Sequence, residues 1–332
     1  MAFPSSDTTV QRPDLGALVM EHMQIAGNLG FIGLQAMPLF PVAAQAASYP
    51  VIPKEALLSV PETRRAMRAA YNRSDWDFEE GFYSCGEHGW EEPIDDRERK
   101  LYQDKFSHDM VCTMRAVDII LRAQEKRIAD AVFNASNFTA NSVTDEWDDA
   151  ANATPFDDIN EAKISVRDAS GMLPNALIIS YSTFLDLKAC EQIVDRLKYT
   201  YPGQDIAAMG AAELARVFDV ERVLVGGAVY NSAKKGQDAS ISSLWSNEYA
   251  MLTRVSAGTN ILEPCLGRTF LWTEDSDGNT VVEQYRDETV RGDVIRVRHD
   301  VDEEFIVSKT SAGAAVSNIS AAVSYLFSNI TS

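Results

Sequence analysis

The residues of this chain able to do chemistry stand apart from one another. Gly226-Gly227 directly follows an apolar run, Arg222 to Val225, where backbone N–H groups could cradle a phosphate. Neither a G-x-G-x-x-G nor a G-x-x-x-x-G-K-S/T spacing surrounds it, so a nucleotide site is not expected there. Ser182 falls on an expected strand-to-helix turn, the place of a nucleophile. Ser180-Tyr181-Ser182-Thr183 lacks the small residues of a G-x-S-x-G elbow, and Ser182 or Thr183 is instead expected to cap a helix. Cys85 and His88 form a single C-x-x-H pair, whereas zinc wants four ligands. Asp275-Ser-Asp277-Gly-Asn279 begins like a calcium loop, but its glycine comes early and no glutamate stands at the twelfth place. A hairpin turn at Asp277-Gly278 explains it. Arg291-Gly-Asp293 is a tripeptide expected by chance. His22, His88, His108 and His299 lie far apart, none beside a nucleophile pattern. No catalytic, cofactor-binding or metal-binding residues are assigned, and the chain does not read as an enzyme.

Composition sets the frame for what remains. The chain has 332 residues, 45% hydrophobic and 24% charged, enough to build one large domain or two modest ones with real cores. The net charge of −19 argues against tight, nonspecific binding of nucleic acid over the surface as a whole. No apolar run approaches a membrane span and no signal sequence opens the chain, which predicts a cytosolic protein with no membrane partner. Cys85, Cys112, Cys190 and Cys265 are spread out and read as reduced thiols, the middle two as small core residues. The sequons at Asn134, Asn137, Asn152, Asn318 and Asn329 are then chance matches.

The element that organises the chain is a helix expected from about Ile94 to Asn134. No proline occurs between Pro93 and Pro155, and no glycine between Gly89 and Gly171. Asp95 and Asp96 are the expected caps. Phe106, Met110, Met114, Val117, Leu121, Ile128 and Ala131 or Val132 fall on one stripe, which lapses at Gln124. The opposite face offers Asp95–Arg99, Asp96–Lys100, Lys105–Asp109, Asp118–Arg122 and Lys126–Asp130 as ion pairs. A coiled coil would need the stripe sustained, and a bundle would need a second comparable helix. The helix reads as a spine laid across a thin mixed α/β body.

Around it, residues 1 to about 35 read as an arm with a weak amphipathic helix near Leu15 to Ile25, and Met37 to Ser59 as an extended, proline-punctuated segment needing a neighbour to lie on. Residues 60–92 begin with Arg64, Arg65, Arg68 and Arg73 and end acidic and aromatic, a long excursion of the kind that binds something. After an acidic link, Asn141 to Asp158, comes a helix ending at Ser170-Gly171. Strand Ala176 to Ser180, helix Phe184 to Leu197, helix Ala211 to Phe218, strand Arg222 to Val225 and strand Tyr249 to Val255 follow as a compact α/β unit. From Thr269 the reading turns to strands: Phe270 to Thr273 and Thr280 to Tyr285 as a hairpin, then Val294 to His299. The tail from Ser311 reads as a last short helix.

This order of elements resembles the major capsid proteins of tailed bacteriophages, with the Hong Kong 97-type fold. The resemblance is carried by the excursion before the spine, by PNALIISYSTFLDLKACEQIVDRL, by ARVFDVERVLVGGAVYNSAKKG followed by LWSNEYAMLTRV, and by VVEQYRDETVRGDVIRVRHDVDEEFIV. It implies an α+β fold: N-terminal arm 1–50, extended loop 51–92, spine helix and first part of a peripheral domain 93–158, axial domain 159–266, and returning peripheral strands with a tail 267–332. It further implies a structural protein that self-assembles into hexamers and pentamers of an icosahedral shell around double-stranded DNA, in a virion built in the host bacterial cytoplasm. A separate scaffolding protein, a portal and a decoration protein are the implied partners. No lysine occurs between Lys54 and Lys100, so a loop-lysine cross-link is not expected. Arg64, Arg65 and Arg68 are the candidates for ion pairs from loop to neighbour. The alternatives are a bacterial nanocompartment shell of encapsulin type and an acidic cytosolic α/β enzyme.

Overall fold

Apolar runs and alternating runs sort the described residues into two large sheets that share one long helix, with three two-stranded ribbons beside them. The computed structural model describes residues 10–12, 15, 30–73, 78–102, 107–200, 210–256, 258–276, 280–309 and 315–331. In chain order the elements are β1 (Val10–Gln11), α1 (Gly33–Ala36), β2 (Leu39–Val42), β3 (Ala46–Val51), α2 (Lys54–Leu57), β4 (Glu79–Ser84), β5 (Gly86–Asp95), α3 (Asp96–Tyr102), α4 (His108–Val132), β6 (Ala140–Ser142), α5 (Pro155–Ser170), β7 (Ala176–Ser180), α6 (Tyr181–Ala189), α7 (Glu191–Thr200), α8 (Ala211–Val217), β8 (Arg222–Gly226), β9 (Val229–Asn231), β10 (Ile241–Ser243), β11 (Tyr249–Thr253), β12 (Gly267–Trp272), β13 (Val281–Asp287), β14 (Gly292–Phe305), β15 (Val307–Lys309), β16 (Ala315–Asn318), α9 (Ile319–Ala322) and β17 (Ser324–Ser328).

The first sheet is built on β14. Its first half pairs with β13 on one side and β5 on the other, so that Val294 stands opposite both Tyr285 and Pro93; its second half pairs with β12. β1 and the parallel strand β2 close the two edges. Valines and isoleucines of β14 alternate with Arg296 and Arg298, and the apolar set faces α4. Ile94, Ala116, Val117, Ile120, Ile295 and Val297 form that core. Each valine or isoleucine among them contributes about 1.5–3 kcal/mol on burial.

The second sheet runs β6-β17-β11-β7-β8. β7 is buried along its whole length because helices or chain cover both its faces. Leu177 and Ile179 face Phe184, Leu187, Ile193 and Leu214 of the helical layer, while Ile178 faces the end of α4 with Ile128, Val132 and Trp245. The C-terminal half of α4 therefore serves the second sheet and its N-terminal half the first.

Several expectations are corrected. The spine starts later, because β14 claims the chain as a strand through Asp95, and Ser107 adopts an extended backbone before α4 begins. Asp95 does accept from the Arg97 N–H at 2.6 Å, at the head of the short α3. The helix expected from Phe184 to Leu197 divides at Cys190, whose backbone is extended, and its cap is Ser180, whose hydroxyl accepts from Thr183 N–H at 3.1 Å. β12 and β13 do not pair with each other; both pair with β14, and the tight turn is at Glu288–Arg291, so Arg291-Gly-Asp293 closes the β13–β14 hairpin. Residues 277–279 lie outside the described residues, as do the expected arm helix beyond Leu15 and Phe106 of the stripe. The tail gives the one-turn helix α9 and then strand β17, which enters the second sheet between β6 and β11.

Candidate assembly interface

The extended segment after Met37 finds its first partner within the chain. β3 pairs with β4, and the ribbon's inner side chains, Tyr49, Val51, Tyr83 and Cys85, pack on Phe270 of β12. Tyr83 stacks on Phe270 with ring centroids 4.5 Å apart, and Tyr49 donates its hydroxyl to Phe305 O at 3.2 Å. Gly81 is required here, since a Cβ would stand 2.3 Å from the Tyr49 ring. Burial pushes the Cys85 thiol up to about 11 and holds it as an inert core group.

The tip of the same ribbon is the opposite. Every residue from Leu58 to Arg73 is exposed, with Val60 at 96% and Met67 at 98%. Only Leu58 at its root leans on the chain, against Gly171 at the end of α5. Arg64, Arg65, Arg68 and Arg73 stand in this stretch with Glu62 as the one acid. It is tied locally: Arg65 donates to Ala69 O at 2.6 Å and lies over the Tyr71 ring at 4.7 Å, and Asn72 donates to Glu62 O at 2.7 Å. A cationic tip carrying bare apolar side chains on a chain of net charge −19 is a surface made to meet another molecule.

Behind the ribbon, charge pins the spine to the first sheet. Arg127 holds Glu303 through two bonds of 2.7 and 3.0 Å, and Arg99 reaches Asp109 at 3.0 Å and Asp293 at 2.6 Å. Arg286 pairs with Asp96 at 2.7 Å, and its hydrogen bonds hold the pKa of that carboxyl below the usual carboxylate range. Arg298 gathers Asp275, Glu283 and Asp300. Of the pairs expected along the spine, Asp118–Arg122 and Lys126–Asp130 form, at 2.9 and 2.8 Å. Arg99 and Asp96 have turned instead to the sheet.

No family model matches the chain. By sequence it is similar to the major capsid protein of Burkholderia phage BcepMu, 28% identical over 266 residues covering 77% of this chain and 81% of the relative. The major capsid protein of Pseudomonas phage JBD67 is 24% identical, over 80% of this chain and 84% of its own. By structure it is similar to a phage-related protein from Bordetella bronchiseptica RB50, with a TM-score of 0.67, 20% identity and coverage of 97% of this chain and 98% of the other. The fold is of the Hong Kong 97 type. Along the chain the exposed ribbon precedes the long helix, and β7, β8 and β11 of the second sheet follow it.

The structure places the described residues that were singled out for their chemistry. Gly226 and Gly227 serve close packing: a Cβ on Gly226 would meet the Trp245 ring at 2.3 Å, and Gly227 N–H donates to Gly30 O at 3.1 Å. Ser182 is an exposed residue of α6. Cys85 and His88 diverge: the thiol turns to Phe270 O at 3.6 Å, while His88 meets the buried His299 edge-on at 5.8 Å. His108 stacks on Tyr102. Asp275 is held by Arg298. Among the described residues no group of three His, Cys, Asp or Glu is placed to hold a metal, and no helix is long and apolar enough to cross a membrane.

One residue was missed by reading the sequence. Glu125 is 4% exposed on the buried face of α4, and its carboxylate accepts from Ile32 N–H, Gly33 N–H and the Trp245 indole. The lapse of the apolar stripe at Gln124 was its signal: the helix face continues inward, but with polar side chains.

Proposed function

We infer that this chain is the major capsid protein of a phage, a structural subunit that assembles with copies of itself into a closed shell. The observation that carries the inference is the bare cationic ribbon tip, Leu58–Arg73, projecting from a Hong Kong 97-type body. Apolar side chains such as Val60 and Met67 gain burial only on a second copy, and head-to-tail contacts of that kind close rings. The two relatives detected by sequence carry the same name, which favours the phage shell over a nanocompartment shell.

The finer assignment divides the chain into arm 1–50, extended loop 51–92, spine with the first part of the peripheral domain 93–158, axial domain 159–266, and returning strands with tail 267–332, β17 coming back to the axial sheet. Hexamers and pentamers would tile an icosahedral shell around double-stranded DNA, assembled in the bacterial cytoplasm with a scaffolding protein and a portal. The acidic surface fits a container that holds DNA without gripping it. Arg64, Arg65 and Arg68 would steer the loop onto acidic surface of the neighbour. The role is structural and non-enzymatic.

Light scattering and negative-stain microscopy of the purified chain, alone and co-expressed with a scaffolding protein, test this. Rings of five or six copies or closed particles are the expected result. A homogeneous monomer or dimer at high concentration under both conditions would overturn the reading.

A further inference from the structure

Glu125 stands where three segments meet, and its surroundings are one-sided. Ile32 N–H donates to Oε1 at 2.8 Å, Gly33 N–H to Oε2 at 2.7 Å, and the Trp245 indole to Oε1 at 2.7 Å. Gly33 lies so close that a Cβ there would stand 2.6 Å from Oε2. All three recorded partners are donors. The arginines and lysine of α4 are engaged elsewhere: Arg115 with Glu92, Arg122 with Asp118, Lys126 with Asp130 and Arg127 with Glu303. α1 has no charged residue, the Leu244–Ser246 segment brings the indole, and no ionised neighbour shifts Glu125.

Two costs oppose each other at this carboxyl. Burial disfavours the anion and raises the pKa of this carboxyl above the ordinary glutamate value. Protonation places a hydrogen where only donors point, so that one N–H must give way. We propose that Glu125 is a proton-operated latch: as the carboxylate it straps residues 30–37 across the spine and the second sheet, and when protonated it releases that strap while both sheets stay folded. The strap's other ties are apolar and polar. Ile32, Ala36 and Met37 are buried in the core with Phe31 and Leu34 packed beside them, so release means loss of the Glu125 bonds and looser packing rather than detachment. Gly30 O accepts from Gly227 N–H at 3.1 Å, and Met37 O accepts from the Thr269 hydroxyl at 2.8 Å.

The direction of the effect distinguishes this latch from acid unfolding. With its folded-state value raised, Glu125 takes up its proton at a pH where the unfolded chain is still ionised, so its own contribution to global stability rises as pH falls. The strap loosens over the same interval. Local protection and the global contribution of this residue therefore move in opposite senses.

Amide hydrogen exchange on the full chain, corrected for the intrinsic pH dependence, is the test. Between about pH 7 and about pH 4, exchange at residues 32–37 should rise roughly tenfold or more, while β7 and β11 remain protected. Glu125→Gln sets an amide nitrogen against Gly33 N–H, so its strap should be loose at neutral pH and lose its pH response. Trp245→Phe removes a donor that favours the anion, and should move the release midpoint to higher pH. Equal protection of residues 32–37 in wild type and Glu125→Gln, or acid loss spread evenly over both sheets, would overturn the proposal. If Glu125→Gln does not fold, an unmoved midpoint in Trp245→Phe overturns it alone. The measurement needs no particles, so its outcome is separate from the shell reading.

Discussion

The helix-covered second sheet and the ribbon tip are made from the same kinds of residue and end in opposite states. In the sheet, Leu177, Ile178 and Ile179 are wholly buried by layers the chain supplies itself. In the tip, Val60 and Met67 are almost fully open among exposed arginines, alanines and polar residues. The sheet's stability is internal; whatever energy the tip can release is deferred to an encounter. On the proposed shell role, the body folds on its own contacts while the tip's apolar area is left for a neighbour.

The sharpest way to break the comparison is to remove the tip. Replacing residues 59–72 with a short Gly-Ser turn should abolish particles, read by light scattering, while the thermal midpoint of the free subunit moves by less than about 2 °C, because nothing in that stretch is buried. A large fall in the midpoint would show that the tip belongs to the subunit's own core. The converse change is Leu177→Ala in β7, expected to cost about 3–5 kcal/mol in denaturant unfolding, since the side chain is fully enclosed between sheet and helices. Shells should then disappear only as the fold does.

A smaller effect comes from His299, buried with both ring nitrogens unpaired and, by burial and the nearby Arg127, lowered to about 3. The unfolded chain binds its proton first, so stability should hold above about pH 6.5 and fall as pH drops toward 3, by a few kcal/mol. His299→Leu should flatten that acid limb in denaturant titrations at several pH values; an unchanged limb would assign it to other groups. Least of all, Lys126→Ala removes an exposed pair with Asp130 and should change stability by under about 0.5 kcal/mol. A loss of assembly in that variant would show that this face of the spine also meets a neighbour.

Much of this was legible from periodicity. The apolar stripe located α4, the unbroken run at Ala176 to Ser180 located β7, and the alternation of Val294 to His299 located β14. Errors fell where partners distant in sequence outweigh local preference. Residues 94–95 carry helix-start signals, yet β14 pairs them as strand. Phe270 to Thr273 and Thr280 to Tyr285 look like a hairpin, yet each finds β14 instead. Glu125 could not be recognised, because three donors drawn from residues 32, 33 and 245 converge on it only in the folded chain. The glycines at 226 and 227 were noticed for the wrong reason: Gly226 permits the approach of Trp245, and at the Gly227 contact it is Gly30 whose Cβ would clash.

The position of β17 bears on how a cell makes this protein. Leu326 pairs with Ala140 on one side and Met251 on the other, so the sheet has a gap between its strands until residues 324–328 have been synthesised. All of β12 to β16 leaves the ribosome before that gap can close. The ribbon tip, by contrast, emerges early and carries its exposed arginines throughout. A nascent chain thus presents its adhesive part long before the body that must orient it is whole, and crowded translation, with many ribosomes on one message, is where mispaired subunits should arise.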